Sequence, residues 1–180
     1  MLPVRSRFWF LKQAHPEIIL CTQEHCGEVE SYQHLFFDCS RTYPIWEGLF
    51  PSWIAFFSAR PKWSHIACLR LPHLSDRWKP FRMVLEDLWF ALVAISIHFI
   101  WTDRNRRLFD QVSTTPTGPA VSVIYSTFSA HIRFYQRQCY DIAQLYQLQT
   151  VLLGLLQSGS AKRYFSGRSD LLKIRRRQRS

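Results

Sequence analysis

Between Phe81 and Phe109 the apolar residues recur every three or four positions, through Leu85, Leu88, Leu92, Ile95 and Phe99. A repeat near 3.6 lines them up on one side of a helix, so the pattern predicts a long helix with a wide apolar face. A second run steps in the same way through Val121, Ile124, Phe128, Ile132, Tyr135, Cys139, Ile142, Leu145, Gln149 and Leu152. It predicts one further long helix over about 120–156. Thr114, Thr115, Pro116, Gly118 and Pro119 lie between the two runs and mark a loop. Two long amphipathic helices joined by a short link predict an antiparallel hairpin.

The N-terminal half is less regular. Val4, Phe8 and Leu11 fall at helical spacing and predict a short helix from Pro3 to about Gln13. Residues 14–30 are polar and turn-like, with Pro16 and Gly27. Ser31 stands before Leu35, Phe36 and Phe37 as a helix start. Another helical stretch is expected from Ser40 to Phe50, with Pro44 tolerated in its first turns. From there to residue 80 the chain is interrupted by Pro51, Pro61, Pro72 and Pro80, with Trp53, Phe56, Phe57, Trp63 and Trp78 between them. This reads as an irregular, aromatic-packed connection. The expected architecture is therefore mainly α. A small N-terminal module (1–50) and the connection (51–80) precede a long antiparallel helical hairpin (81–157) and a disordered basic tail (158–180).

Composition narrows the classes. Hydrophobic residues make up 47% of the 180, and aromatics 16%, which excludes a wholly disordered chain. The formal charge is +10, and the segment from Lys162 to Ser180 carries eight Lys or Arg against one acid, Asp170. Basicity concentrated at a tail suits nucleic acid or nuclear import. The uncharged run Leu88–Trp101 is bounded by Asp87 and Asp103 and interrupted by His98. A spanning helix needs about 20 apolar residues, so this shorter run reads as a core helix and no membrane partner is expected. An odd number of cysteines, five, and a start without an apolar signal core point to a reducing compartment, nucleus or cytoplasm.

Three of those cysteines fall in one short polar region, in the order Cys21-x4-Cys26-x7-His34-x4-Cys39. Three thiolates and an imidazole are a standard tetrahedral set for structural Zn2+, and four protein ligands leave no position for a reactive water. His25 adjoins Cys26 and is an alternative donor for the second position.

Here the chain resembles a family. The stretch LPVRSRFWFLKQAHPEIILC, followed by CGEVESYQHLFFDCSRTYPIW, is similar to the zinc-binding domain that follows the polymerase domain in LINE-type (non-LTR) retrotransposon reverse transcriptases. The matching residues are Leu2, Pro3, Val4 and Arg5, then Cys21, Cys26, Glu28, His34, Leu35, Phe36, Phe37, Cys39 and Trp46. The run IHFIWTDRNRRLF, Ile97 to Phe109, is a second point of similarity. The gap between Cys21 and Cys26 is wider than the family's two or three residues. The resemblance implies a non-catalytic, nucleic-acid-binding fragment that supports reverse transcription. RNA or single-stranded DNA would be the partner, with an upstream polymerase domain as a possible second one.

The candidate nucleic-acid contacts are Arg5, Arg7, Lys12 and Arg41 near the cluster, and Arg104, Arg106 and Arg107 at the end of the long helix. Lys173, Arg175, Arg176 and Arg177 in the tail complete the set. For the arginines at the helix end, attraction to the negative end of the helix dipole is an equally good account. Phe8 and Trp9 are expected in the core, because a small module needs its aromatics for packing. No enzyme is expected. Paired aspartates for metal-assisted phosphoryl transfer, a Gly-rich phosphate loop and a nucleophile with a His partner are all missing from the pattern. The alternative is a protein-interaction domain in which zinc is structural and the tail is a nuclear-import signal.

Overall fold

The computed structural model describes residues 4–139, 141–157 and 161–165. The chain is mainly α. Helix α1 runs Tyr43–Trp53, α2 Trp63–Ala67, α3 Arg82–Phe109, α4 Thr117–Gln138, α5 Ile142–Gln157 and α6 Ala161–Phe165. Short 3-10 segments cover Arg5–Leu11, Pro16–Ile19, Ile54–Phe56 and Asp76–Phe81. Among the described residues there is no strand, and two isolated antiparallel bridges join Leu20 to Val29 and Phe57 to Leu74.

Helix α3 is the axis of the fold. Val84, Leu85, Leu88, Trp89, Leu92, Val93 and Ile100 are buried along it. By length and composition the segment Asp76–Phe109 could cross a bilayer, and 44% of its most apolar stretch is buried inside this fold. Helix α4 folds back antiparallel on it. The Thr115 amide, just before α4, donates to Asp103 late in α3, while Tyr135, late in α4, donates to Asp87 early in α3.

The second apolar run forms two helices where one was expected. In the sequence the three-to-four spacing runs through the junction, so periodicity alone could not show the break, although Ile142 just after it is exposed. Cys139 turns extended (φ −77°, ψ 119°). Asp141 then starts α5, its carboxylate accepting from the Ala143 amide at 2.8 Å. An Asp ahead of an apolar run is a helix-start signal. The bend lets α5 bury Leu148, Val151, Leu152 and Leu155, and α6 closes on Tyr125, whose ring stacks on Tyr164 at 5.2 Å. Gly154 is where α5 comes closest to the aromatic layer. A Cβ there would lie 2.8 Å from the Trp78 ring and 3.0 Å from Phe56.

The expected helix over 40–50 lies at 43–53, with Pro44 in its first turn. The connection 51–80 supplies much of the core. Trp53, Phe56, Phe57 and Trp78 are buried in it, with Trp53 edge-on to Trp89 at 5.6 Å and Phe56 edge-on to Trp78 at 4.7 Å. One continuous apolar cluster runs from Val4 to Phe165, across the boundaries drawn at 50 and 80. The basic tail, including Lys173, Arg175, Arg176 and Arg177, lies outside the described residues.

Candidate metal centre

Two local structures bring the four ligands together. The first is a short hairpin. The Glu30 amide donates to the Ile19 carbonyl at 2.9 Å and the Cys21 amide to the Glu28 carbonyl at 2.7 Å. These bonds pair the residues flanking the loop and fold Cys21 and Cys26 toward each other. The four-residue gap is absorbed by left-handed backbone at His25 (φ 59°) and Gly27 (φ 69°). Gly carries no Cβ penalty in that region, and the turn uses one at the tighter exit.

The second is a wide helical turn over His34–Asp38, closed by the Cys39 amide donating to the His34 carbonyl five residues back, at 2.8 Å. Such π-type turns are rare and concentrate at functional sites. Ser31 starts it, its hydroxyl accepting from the His34 amide at 3.0 Å. Its carbonyls are claimed from outside. The Thr42 hydroxyl donates to Leu35 at 2.8 Å and the Trp46 indole to Phe36 at 2.7 Å. Trp46 therefore braces the turn that carries His34 and Cys39.

The donor atoms of Cys21, Cys26, His34 and Cys39 all lie within 4.8 Å of one another. The Cys21 and Cys39 sulfurs are 3.8 Å apart, and Cys26 Sγ is 3.3 Å from His34 Nε2. A tetrahedral zinc with its usual bond lengths needs S···S edges of about 3.8 Å and S···N edges of about 3.6 Å. The geometry therefore fits a four-coordinate metal ion. It excludes a disulfide between Cys21 and Cys39, which needs sulfurs about 2.05 Å apart, and all five cysteines are free thiols. Cys26 rather than His25 completes the group; His25 is exposed on the loop.

Backbone amides polarise both knuckles. The Gln23 amide donates to Cys21 Sγ at 3.4 Å, and that of Arg41 bears on Cys39 in the same way. The hydrogen bond from Cys21 holds the Cys39 thiol down to about 5, and the same bond together with burial pushes Cys21 well above its ordinary value. The two sulfurs therefore favour one thiol hydrogen-bonded to one thiolate. A dication would displace that proton and take both thiolates.

A polar cleft of about 640 Å³ opens beside Cys26 and His34, lined by His25, Glu28, Gln33 and Asp38 among others. A metal ion held by all four groups would have no open position left for a water.

No protein-family model, no curated protein and no solved structure matches this chain.

The arginines expected on nucleic acid divide into two groups. Arg104 is buried and bound to Glu30 through two bonds, Nη2 to Oε1 at 2.6 Å and Nε to Oε2 at 3.2 Å. Arg41 and Arg107 flank Asp103 at 3.8 and 3.6 Å, with side chains only 9% and 12% exposed. Arg41 also donates to the Thr115 carbonyl, and Arg107 to Gln23 Oε1 at 3.2 Å. Burial pushes the Arg41 pKa down, and the Asp103 carboxylate opposes that shift. Arg5 donates to the carbonyls of Ile18 and Glu17 at 2.7 and 3.0 Å. These four guanidiniums have partners within the fold. Arg7, Lys12 and Arg106 stand exposed.

The run Asp103-Arg104-Asn105-Arg106-Arg107 thereby acquires a structural meaning. It latches the metal loop to the end of α3. Glu30 is the hub, and every polar group it has is used. Its amide joins the hairpin, its carbonyl accepts from the Ser6 amide at 3.1 Å, and Oε1 accepts from the Arg5 amide at 3.0 Å. Neither Glu30 nor Asp103 stood out in the sequence. Their partners lie 74 and 62 positions away for Glu30–Arg104 and Asp103–Arg41, and no local spacing announces such pairs.

Phe8 and Trp9 were expected in the core and are not there. Phe8, Trp9 and Phe10 are 41%, 71% and 63% exposed, while Val4 is buried and Arg5 and Ser6 are hydrogen-bonded to Glu30 and Ile18.

Proposed function

We propose that this chain is a non-catalytic nucleic-acid-binding module built around a structural zinc ion, of the kind found C-terminal to the polymerase domain in LINE-type reverse transcriptases. RNA or single-stranded DNA is its partner. One observation carries the reading: a closed Cys3His set of tetrahedral dimensions sits in a chain of formal charge +10. A closed site shapes a surface rather than reacting, and a cationic chain gains from releasing counterions on a polyphosphate. The zinc holds the hairpin and the π-type turn together, and the affinity comes from cations elsewhere, the tail included.

The test uses the full chain. Metal analysis of purified protein is expected to return about one zinc per chain. Fluorescence anisotropy with a short RNA at several salt concentrations is expected to show log K falling linearly with log salt, by roughly 0.7 per phosphate contacted for a single strand. The combined substitution Cys26→Ser and His34→Ala is expected to abolish the zinc. A metal-free native protein, or binding indifferent to salt, overturns the reading.

A further inference from the structure

The exposed N-terminal aromatics are the feature that the metal centre and the core leave unexplained. Phe8, Trp9 and Phe10 follow one another on the 3-10 segment and remain largely in water. A large aromatic side chain buries on the order of 150–250 Å² when packed, so the three together leave a few hundred Å² of apolar surface uncovered. Patches of that size on a single chain mark contact sites.

The segment is also tied down at its start. Val4 is buried beneath it, and the Arg5 side chain spans to Ile18 and Glu17. The Arg5 and Ser6 amides are held by Glu30, the residue that also holds Arg104. The rings therefore project from a backbone fixed to the metal loop, and little ordering entropy is left to lose on contact. A kink at Phe8 (φ −89°, ψ 22°) brings its ring to 6.4 Å from Phe10. The Lys12 amide closes a 3-10 bond on Trp9 at 3.1 Å, and residues three apart in such a turn stand one above the other. Lys12 thus follows Trp9 by one 3-10 turn, while Arg7 precedes Phe8, and both cations are exposed.

We propose that Phe8, Trp9 and Phe10, flanked by Arg7 and Lys12, form a stacking platform for unpaired bases of RNA or single-stranded DNA. The inference rests on the nucleic-acid reading above and gives it a location. Aromatic faces take any base, and the flanking cations take the phosphates on either side. Unpaired bases are required, because the flat faces of paired bases are covered by their neighbours in a duplex. The cleft beside the metal does not compete for this role. Glu28 and Asp38 line it, and their carboxylates repel phosphate.

The experiment compares the full-length, zinc-loaded protein with Trp9→Ala, Phe10→Ala and Trp9→Phe. Both positions tested are exposed, so zinc content and helical circular dichroism are expected to stay unchanged. The probe is a fluorescein-labelled 12-nucleotide oligouridine, with a duplex RNA of the same length beside it. Each alanine variant is expected to weaken oligouridine binding by about 5- to 150-fold, the range for losing one stacked base. Trp9→Phe is expected to restore most of that loss. The salt slope stays unchanged in the alanine variants, since stacking releases no counterions, and falls by roughly 0.7 in Arg7→Gln or Lys12→Gln. Full-length binding with no effect of Trp9→Ala or Phe10→Ala overturns the platform and leaves the nucleic-acid reading standing. Absence of RNA binding by the unaltered protein overturns both. Equal affinity for the duplex also overturns the platform. So does an effect of Trp9→Ala confined to binding of phosphatidylserine vesicles, or to self-association in sedimentation.

Discussion

Replacing Arg104 with Ala tests whether the metal loop is latched to α3. Glu30 is fully buried and Arg104 only 4% exposed, joined by two charged hydrogen bonds. Removing the guanidinium leaves a carboxylate out of water, facing only the Arg5 amide at 3.0 Å. Breaking a buried pair from one side costs about 3–5 kcal/mol, because the surviving charge loses its partner and cannot regain solvent. The arginine also lies over the Trp101 ring at 5.2 Å, a contact that adds to the loss. With a urea slope of about 2 kcal/mol/M, the midpoint should fall by roughly 1.5–2.5 M. Urea unfolding of the zinc-loaded chain, followed by tryptophan fluorescence, measures it. The double substitution Glu30→Leu with Arg104→Met removes both charges and should recover most of the stability. A residue of about 1 kcal/mol should remain, for the Arg5 amide left without its acceptor. A midpoint shift below about 0.5 M for Arg104→Ala refutes the latch. So does a double variant no more stable than the single one. A weaker RNA affinity at unchanged stability would instead put Arg104 back on the binding surface.

Two further outcomes probe the packing and the titration of the hairpin. Gly154→Ala should destabilise the fold by about 1–3 kcal/mol, although alanine favours helices by about 1 kcal/mol, because its methyl would meet Trp78 and Phe56 at 3.0 Å or less; thermal unfolding decides the sign, and a gain in stability would show that the ring of Trp78 can yield. The Tyr135 hydroxyl is pushed up to about 12, chiefly by burial and then by its hydrogen bond to Asp87. The folded state therefore keeps the phenolic proton more tightly than the unfolded one. The contribution is fully present below about pH 10 and is lost as pH rises toward 12. Tyr135→Phe should flatten that part of the stability profile, and an unchanged loss between pH 10 and 12 would assign it to another group.

What was legible in the sequence is what short range determines. The α3 stripe and the presence of α1, with Pro44 in its first turn, follow from local periodicity and turn chemistry, while α1 itself begins and ends three residues later than expected. The four ligands were legible because they lie within one stretch, and because thiolates and imidazole at such spacings have few other uses. Asp141 carried a local signal for the break before α5, yet the stripe ran through it, since both helices bury their faces against the same core.

The environment of each cation and each ring was decided only in three dimensions. Arg41, Arg104 and Arg107 look like Arg7 and Arg106 in a sequence, all being cations near apolar residues. Glu30 reaches Arg104 and Asp103 reaches Arg41 from distant positions, and Arg107 joins the same Asp103 from one helical turn away. Phe8 and Trp9 look like Trp53 and Phe56. The first pair sits on a strap held out by Arg5 and Glu30, while the second faces Trp89 and Trp78 across the core. A side chain's type fixes what it can bond to, and local spacing fixes which neighbours share its face. Whether it meets water, a buried carboxylate or another ring depends on the long-range packing that brings separate segments together, and that is settled only when the whole core closes.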